Sequence, residues 1–185
     1  MEYINSSTLI ISNSPRHCLE AFDVTTVKMK TYAGVCGTSG SRLTGHRIDN
    51  VRLSSALGVV FDGSHMIYSS SNGQRKIFGI NVTSDIVHEV CGTDGMAVKS
   101  FVFGESPRTL LVVLNHAVGT VDISTGEFTV LSGSLTSGDS IGDLRTTEYY
   151  YPSDILRVNE STLLVSDARN NRYVCKELCH PVWFR

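Results

Sequence analysis

The sequence predicts an all-β fold, a β-propeller with about four four-stranded blades, and three observations support this prediction. A segment that starts at Asn5 and another that starts at Asn159 share one order of turn, Ser-Thr pair, β-forming run and polar turn, at a constant offset of 154 positions. Similar strands begin at intervals of 57, 44 and 53 residues, at Thr8, His65, Thr109 and Thr162. Repeats of about 40 to 50 residues are typical of propeller blades, and the apolar residues lack helical spacing.

The repeats divide a single domain, residues 1–185, into blades at about 1–36, 56–91, 97–133 and 152–185. In the second blade, alternation and turn residues predict strands at Leu57–Phe61, Met66–Ser69, Arg75–Ile80 and Ile86–Val90. In the third blade they predict strands at Val98–Phe103, Leu110–Leu114, Gly119–Ile123 and Glu127–Leu131. A β-sandwich with evenly spaced strands is the alternative fold.

The composition excludes several classes of protein. Of 185 residues, 16 are basic and 18 acidic, so the formal charge is −2 and a surface that binds polyanions through bulk charge is excluded. The longest apolar runs, such as Leu110–Leu114, are far shorter than the ~20 residues that a membrane-spanning helix needs. Because Met1–Ser7 is polar and Leu9–Ile11 is short, we recognise no signal peptide, and we expect a cytosolic chain or one whose true start lies elsewhere.

Several motifs resemble the NHL-repeat family of β-propellers. "LLVSDARNNRYV" from Leu163 resembles its signature, in which a strand ends in Asp and an Arg opens the next strand. "TYAGVCGTSG" from Thr31 and "HEVCGTDG" from His88 resemble its blade ending, and "YYPSDIL" from Tyr150 resembles its entry into the next blade. The signature Asp is kept only at Asp167. The resemblance implies a divergent, extracellular-type NHL propeller.

NHL propellers usually have six blades, so the resemblance implies that these four belong to a larger ring. An arc of blades exposes sheet edges and apolar faces. We therefore expect another chain, or sequence missing here, to complete the propeller. A compact four-bladed ring closed on itself is the rival arrangement.

Two long loops between blades, residues 37–55 and 132–151, are the predicted partner-binding segments. Antiparallel pairing within each blade places both loops on one face, with the polar turns at Asn72 and Asn170. The loops contain residue types that often anchor interfaces, namely Arg42, His46, Arg47, Arg52, Arg145, Tyr149, Tyr150 and Tyr151. Alternatively, at least one of the three tyrosines packs its loop against the blade.

Three glycosylation sequons begin at Asn5, Asn81 and Asn159, and all three fall on the face opposite the long loops. If the chain is secreted, N-linked glycans keep that face free and leave the long-loop face to partners. We therefore expect an extracellular or secreted protein whose signal peptide is not present in this chain.

The five cysteines are an odd number, so at least one is reduced or paired elsewhere. Cys175 and Cys179 flank a tight turn and are the candidate disulfide. Cys36 and Cys91 end corresponding strands of adjacent blades, which places them too far apart for a bond. Alternatively, all five are reduced core residues.

We expect no cofactor, no metal and no catalytic residue, since no cysteine pair has CxxC spacing and the histidines show no HxxxH pattern. The favoured function is therefore a non-enzymatic extracellular glycoprotein, a binding or scaffold module that contacts protein or glycan partners, with no membrane span and no nucleic acid. One alternative is a fragment of a metal-dependent propeller lyase or lactonase, although Asp154 is the one carboxylate of the expected innermost strands. A second is an RNA-binding NHL domain that uses Arg42, Arg47 and Arg52.

Overall fold

The computed structural model describes residues 1–134 and 136–178, and they form four antiparallel sheets in the arrangement of β-propeller blades. Blade 1 contains β1 (Glu2–Tyr3), β2 (Thr8–Asn13), β3 (Cys18–Asp23) and β4 (Lys28–Ala33). Blade 2 contains β5 (Gly45–His46), β6 (Ala56–Phe61), β7 (Met66–Ser71), β8 (Lys76–Asn81) and β9 (Ile86–Gly92). Blade 3 contains β10 (Ser100–Phe103), β11 (Thr109–Val113), β12 (Ala117–Asp122) and β13 (Phe128–Gly133). Blade 4 contains β14 (Asp154–Asn159), β15 (Thr162–Asp167) and β16 (Arg172–Glu177), with a 3-10 turn at Ala168–Asn170.

The sequence repeat corresponds to structural equivalence. In blade 2 the short β5 pairs with β9 at the edge of the sheet, so its four main strands are counted from β6. With this counting, the strands that begin at Thr8, Met66, Thr109 and Thr162 are each the second strand of their blade. Backbone conformation repeats too, because the residue before the third strand has a positive φ in three blades, at His17 (59°), Arg75 (57°) and Asn171 (50°). The all-β propeller fold predicted from the sequence is therefore confirmed.

Alternation along the second strands explains how the blades pack. The second residue of this strand faces the preceding blade and the third residue faces the following blade, because successive side chains of a strand point to opposite sides. Ile67, Leu110 and Leu163 are buried against the preceding blade. Ile10, Tyr68 and Leu111 are buried against the following blade. Three apolar clusters thus join blade 1 to 2, blade 2 to 3 and blade 3 to 4.

The turns of the blades define two faces, which we call the turn face and the loop face. The turn face carries the turns that join first to second and third to fourth strands. The loop face carries the turns that join second to third strands and the points where each blade leads into the next. This division follows from antiparallel pairing in every sheet.

The first long loop does not stay on the loop face, so the predicted position of its central residues is wrong. Gly45–His46 pairs with Ile86 and Val87 at the start of β9, which adjoins the turn face. The loop crosses between blades 1 and 2 because its apolar side chains are buried in the cluster between these blades. These side chains are Leu43, Val51 and Leu53.

The second long loop returns along the outer side of blade 4. Side chains of the last blade donate hydrogen bonds to its backbone carbonyls: Asn170 Nδ2 to Gly138 at 2.8 Å, and Lys176 Nζ to Gly142. Lys176 is buried, and burial lowers the pKa of its ammonium group. The described parts of this loop are thereby held against β15 and β16.

A disulfide joins Cys18 to Cys36, with Cα atoms 5.1 Å apart. This pair was not among the sequence predictions. Cys18 opens β3 and Cys36 follows β4, and since these strands are antiparallel the two residues meet at one end of the sheet. Among the described residues, Cys91 and Cys175 are not in disulfides. The predicted partner of Cys175, Cys179, lies outside the described residues, so that bond stays a prediction.

Within residues 1–134 and 136–178, no helix has the length and apolar character required to traverse a bilayer.

Candidate functional site

Five aromatic and basic side chains from blades 3 and 4 come together on the loop face. We call them the aromatic-basic cluster: Lys99, His116, Tyr150, Tyr151 and Arg169. Lys99 directly precedes β10, and His116 lies in the turn from β11 to β12. The two tyrosines end the second long loop, and Arg169 lies in the turn from β15 to β16.

Tyr151 is the centre of the cluster. The guanidinium carbon of Arg169 lies 4.1 Å and the ammonium nitrogen of Lys99 4.5 Å from its ring centroid, so both cations contact the aromatic ring. The His116 ring packs edge-on against Tyr151, with centroids 4.7 Å apart. Tyr150 lies 5.6 Å from Tyr151, and its hydroxyl accepts a 3.4 Å bond from Arg169. Three aromatic rings and two cations thus form one continuous patch.

The cluster carries positive charge that the described chain does not neutralise. The ion pairs within residues 1–134 and 136–178 do not include Lys99 or Arg169. Burial, and then the nearby charge of Arg169, lowers the pKa of Lys99. Burial, followed by the charge of Lys99, lowers the pKa of His116, which favours the neutral imidazole. Such a surface favours ligands that bring negative charge or an aromatic ring.

A buried carboxylate positions the cluster. Asp167, fully buried at the end of β15, accepts a 2.8 Å bond from the Tyr150 backbone N–H and another of 2.8 Å from Asn170 Nδ2. Tyr150 donates to Oδ1, whereas Asn170 donates to Oδ2, which also accepts a 2.9 Å bond from Arg172 Nε. Arg172 in turn donates to the backbone carbonyls of Asp139 and Glu148. Asp167 and Arg172 are the signature pair noted in the sequence, and they fasten the second long loop to blade 4.

Tyr149 holds the same loop in place through its burial between blades 3 and 4. It is fully buried in the cluster between blades 3 and 4, and its hydroxyl lies 3.1 Å from Ser132 Oγ. Gly133, with φ of 90°, allows this approach: an added Cβ there would lie 2.8 Å from the Tyr149 ring and 2.5 Å from the His116 carbonyl oxygen. Of the three consecutive tyrosines, one packs the loop and two reach the loop face.

The other residues predicted for partner binding lie apart from the cluster. Arg47 donates a 2.6 Å bond to Asp85 and lies 4.3 Å over the ring of Tyr32, so it braces blades 1 and 2. His46 Nδ1 lies 3.2 Å from an Asp49 carboxylate oxygen.

The remaining arginines of the loops differ in their surroundings. Arg52 donates to the carbonyls of Val51 and Asp49. Arg42 and Arg145 are exposed. Of the three arginines expected to form a basic patch, Arg47 pairs with Asp85 of the β8–β9 turn, on the turn face. The Arg52 backbone N–H donates a 2.8 Å bond to the Arg42 carbonyl.

The three sequons belong to a turn motif that recurs on the turn face. Six turns there have the pattern Asn/Asp-x-Ser/Thr, beginning at Asn5, Asp23, Asp62, Asn81, Asp122 and Asn159. In each, the side-chain oxygen accepts a bond of 2.8 to 2.9 Å from the backbone N–H two residues later. Side-chain bonds of this kind stabilise tight turns. Turn formation alone thus accounts for the pattern, and glycan attachment stays a prediction.

One described group of side chains has the composition of a metal site: Cys18, Glu20 and Cys36. Its two sulfurs are joined in the disulfide, so neither is a thiolate that could bind a metal ion.

Signals for the missed residues of the aromatic-basic cluster are weak in the sequence. Lys99, His116 and Arg169 lie 17 to 70 positions apart from one another. The sequence repeat nevertheless placed each of these residues next to the end of a strand on the same face.

No protein-family model and no curated protein matches the sequence. Solved structures do match the fold. One chain of a nidogen/laminin complex is 15% identical with a TM-score of 0.63, and the match covers 93% of this chain and 56% of that one. A Bacteroides thetaiotaomicron protein of unknown function is 14% identical with a TM-score of 0.64, over 91% of this chain and 44% of that one. The computationally designed protein Ika4 is 10% identical with a TM-score of 0.55, over 96% of this chain and 89% of that one.

This chain therefore spans about half the length of the two natural chains. At such identities the likeness concerns the fold alone. The four sheets, their repeat and these matches together establish that the chain has a β-propeller fold.

Proposed function

We propose that this chain is a non-enzymatic protein-binding module of the divergent NHL type, and that it binds an acidic partner surface through the aromatic-basic cluster. The observation that carries the proposal is the unneutralised charge of Lys99 and Arg169 around the ring of Tyr151. Tyrosine and arginine are the residue types that most often dominate binding energy at interfaces. The rigid blades below the cluster hold it in place at little entropic cost on binding.

We propose an extracellular setting for this activity. The Cys18–Cys36 disulfide supports it, because such bonds persist in oxidising compartments. The fold match to a chain of a nidogen/laminin complex also agrees with a role in protein binding. Glycans on Asn5, Asn81 and Asn159 would leave the loop face open to partners, since these residues lie in turns of the turn face.

The binding proposal is tested with an array of acidic and neutral twelve-residue peptides, with Tyr151→Ala and Arg169→Ala as variants and exposed Arg145→Ala as the matched control. We expect wild-type protein to retain Asp/Glu-rich peptides, and each cluster variant to weaken their binding at least about tenfold, which corresponds to about 1.4 kcal/mol. The control keeps wild-type affinity. Equal binding of Asn/Gln-substituted peptides, or equal binding by the cluster variants, would contradict the proposal.

The secretory setting has a separate test. The chain is expressed behind a heterologous signal peptide, and the mass of the secreted product is compared before and after endoglycosidase treatment. We expect sensitive mass that disappears in a variant with Gln at Asn5, Asn81 and Asn159. Secreted material without sugar would contradict the glycoprotein part of the proposal while leaving the binding test unaffected.

A further inference from the structure

Within residues 1–134 and 136–178, the first and last blades each have one side against which no other blade packs. In the second strand, the second residue faces the preceding blade and the third faces the following blade. At the two ends of the chain this rule assigns Leu9 and Leu164 to free sides, and both are partly exposed. Their counterparts in other blades, such as Leu163 and Ile10, are 1% and 0% exposed.

The free side of blade 4 matches a buried side of blade 1 residue by residue. With the offset of 154, Leu164 corresponds to Ile10 and Tyr173 to Leu19, and the cross-strand partners agree in register. Ile10 and Leu19 are fully buried against blade 2, whereas Tyr173 is 75% exposed. Leu156 of the same blade is also 59% exposed. Blade 4 thus presents the surface that in other blades packs onto the next blade.

The free side of blade 1 is equivalent to the sides by which blades 2 to 4 pack onto their predecessors. Leu9 and Ile11 correspond to Leu163 and Val165, which are each 1% exposed in the cluster between blades 3 and 4. Two further side chains make this end apolar: Tyr3 is 55% and Met29 53% exposed. The two free sides are therefore complementary to each other and not each to itself.

We propose that two copies of this chain form one closed eight-bladed ring, in which blade 4 of each copy packs against blade 1 of the other. Two interfaces related by a twofold axis then cover all four free sides, so that no apolar sheet face is left over. Eight blades lie within the four to eight that propellers have. The contacts continue those of the three clusters within the chain.

A second copy is favoured over closure of one chain on itself. In residues 1–134 and 136–178, the three buried clusters join consecutive blades, and none joins blade 4 to blade 1. Leu156 and Tyr173 on one side, and Tyr3 and Met29 on the other, also keep half or more of their surface exposed. This inference does not depend on the proposed function, since it concerns other surfaces of the blades.

The mass in solution tests the proposal directly. Sedimentation equilibrium is measured from about 1 to 100 µM in reducing buffer, because exposed Cys175 on the free side of blade 4 could link copies by oxidation. We expect about 40 kDa, twice the 20.2 kDa of one chain. A mass of one chain at all concentrations, or open-ended polymers, would overturn the proposal.

Two substitutions on exposed side chains test the surfaces without disturbing a core. Tyr173→Glu alters the free side of blade 4 and Met29→Glu that of blade 1, and Ile141→Glu, 73% exposed in the second long loop, is the matched control. Each of the first two is expected to raise the dimer dissociation constant at least about tenfold, and the control to leave it unchanged. Thermal unfolding of the variants verifies that each is folded. Dimers that tolerate both substitutions would refute the proposed interface.

Mixing the two variants distinguishes this ring from a dimer that pairs like faces. Each variant alone carries one altered side chain in both interfaces of its dimer. A mixed pair places both alterations in one interface and leaves the other, between an unaltered blade 4 and an unaltered blade 1, intact. We therefore expect mixing Tyr173→Glu with Met29→Glu to restore part of the association. Failure of the mixture to associate better than either variant alone would overturn the paired-end arrangement.

Discussion

Replacing Asp167 by Asn changes the charge of one buried group while keeping its shape. The carboxylate accepts bonds from the Tyr150 backbone, Asn170 and Arg172, and it is fully buried. An Asn oxygen can still accept from Tyr150, but its NH₂ group then faces the Asn170 and Arg172 donors. Two bonds are lost, and Arg172 keeps a buried charge without its carboxylate.

The expected cost follows from these contacts. Hydrogen bonds to charged groups contribute about 1.5 to 3 kcal/mol each, and breaking a buried ion pair costs about 3 to 5 kcal/mol. Because Arg172 is 20% exposed and keeps its bonds to the Asp139 and Glu148 carbonyls, we expect the lower end, about 3 kcal/mol. For a chain of this size that lowers the midpoint of thermal unfolding by about 6 to 12 °C.

Urea unfolding of wild type and Asp167→Asn measures this loss. The matched control is Asp139→Asn, an exposed residue of the same loop that contributes its backbone carbonyl, and it should change the free energy of unfolding by less than about 0.5 kcal/mol. A double-mutant cycle with Arg172→Met should show coupling above about 1 kcal/mol. A loss below about 1 kcal/mol for Asp167→Asn would refute the argument that this carboxylate fastens the loop.

Three further outcomes are expected. The Cys18→Ser, Cys36→Ser double variant should lose about 3 kcal/mol of stability in thermal or urea unfolding, because the bond spans 18 residues of the unfolded chain; an unchanged midpoint would argue against the bond. Burial raises the pKa of Cys91 to about 11, so its thiol should react with iodoacetamide at pH 8 about 100-fold more slowly than an ordinary cysteine. Peptide mass spectrometry measures this rate, and rapid alkylation of the native protein would contradict the burial of Cys91. The hydrogen bond from Arg47 lowers the pKa of Asp85, so the pair stabilises the fold above the unfolded pKa of about 4 and loses this contribution as the pH falls. The free energy of unfolding that Arg47→Met loses relative to wild type should therefore shrink from pH 6 to pH 2.5, and a loss that does not change with pH would contradict this pairing.

Much of the fold was predictable because it depends on short stretches of chain. Alternation of side chains and turn chemistry act over two to four residues, and they recur at Thr8, Met66, Thr109 and Thr162. The same local rules explain the turns at Asn5 and its equivalents, so the sequence alone identified the blades and the two faces.

The paths of the long loops were not predictable from local rules. Because Leu43, Val51 and Leu53 are buried between blades 1 and 2, the first loop crosses between them and reaches Asp85. The whole loop therefore does not lie on one face, although the antiparallel strand order alone predicted that it would. The disulfide partner of Cys18 likewise depends on where the chain goes after β4.

The sequence by itself determined the repeat, the alternation of core positions and the presence of Tyr150 and Tyr151 in an exposed loop. Only the tertiary structure decided that Lys99, His116 and Arg169 surround Tyr151. The physical reason is that strand and turn preferences are local. Contacts to Tyr151 from side chains 18 to 52 positions away arise only after the sheets of blades 3 and 4 have packed together and the second loop has been fastened to the last blade.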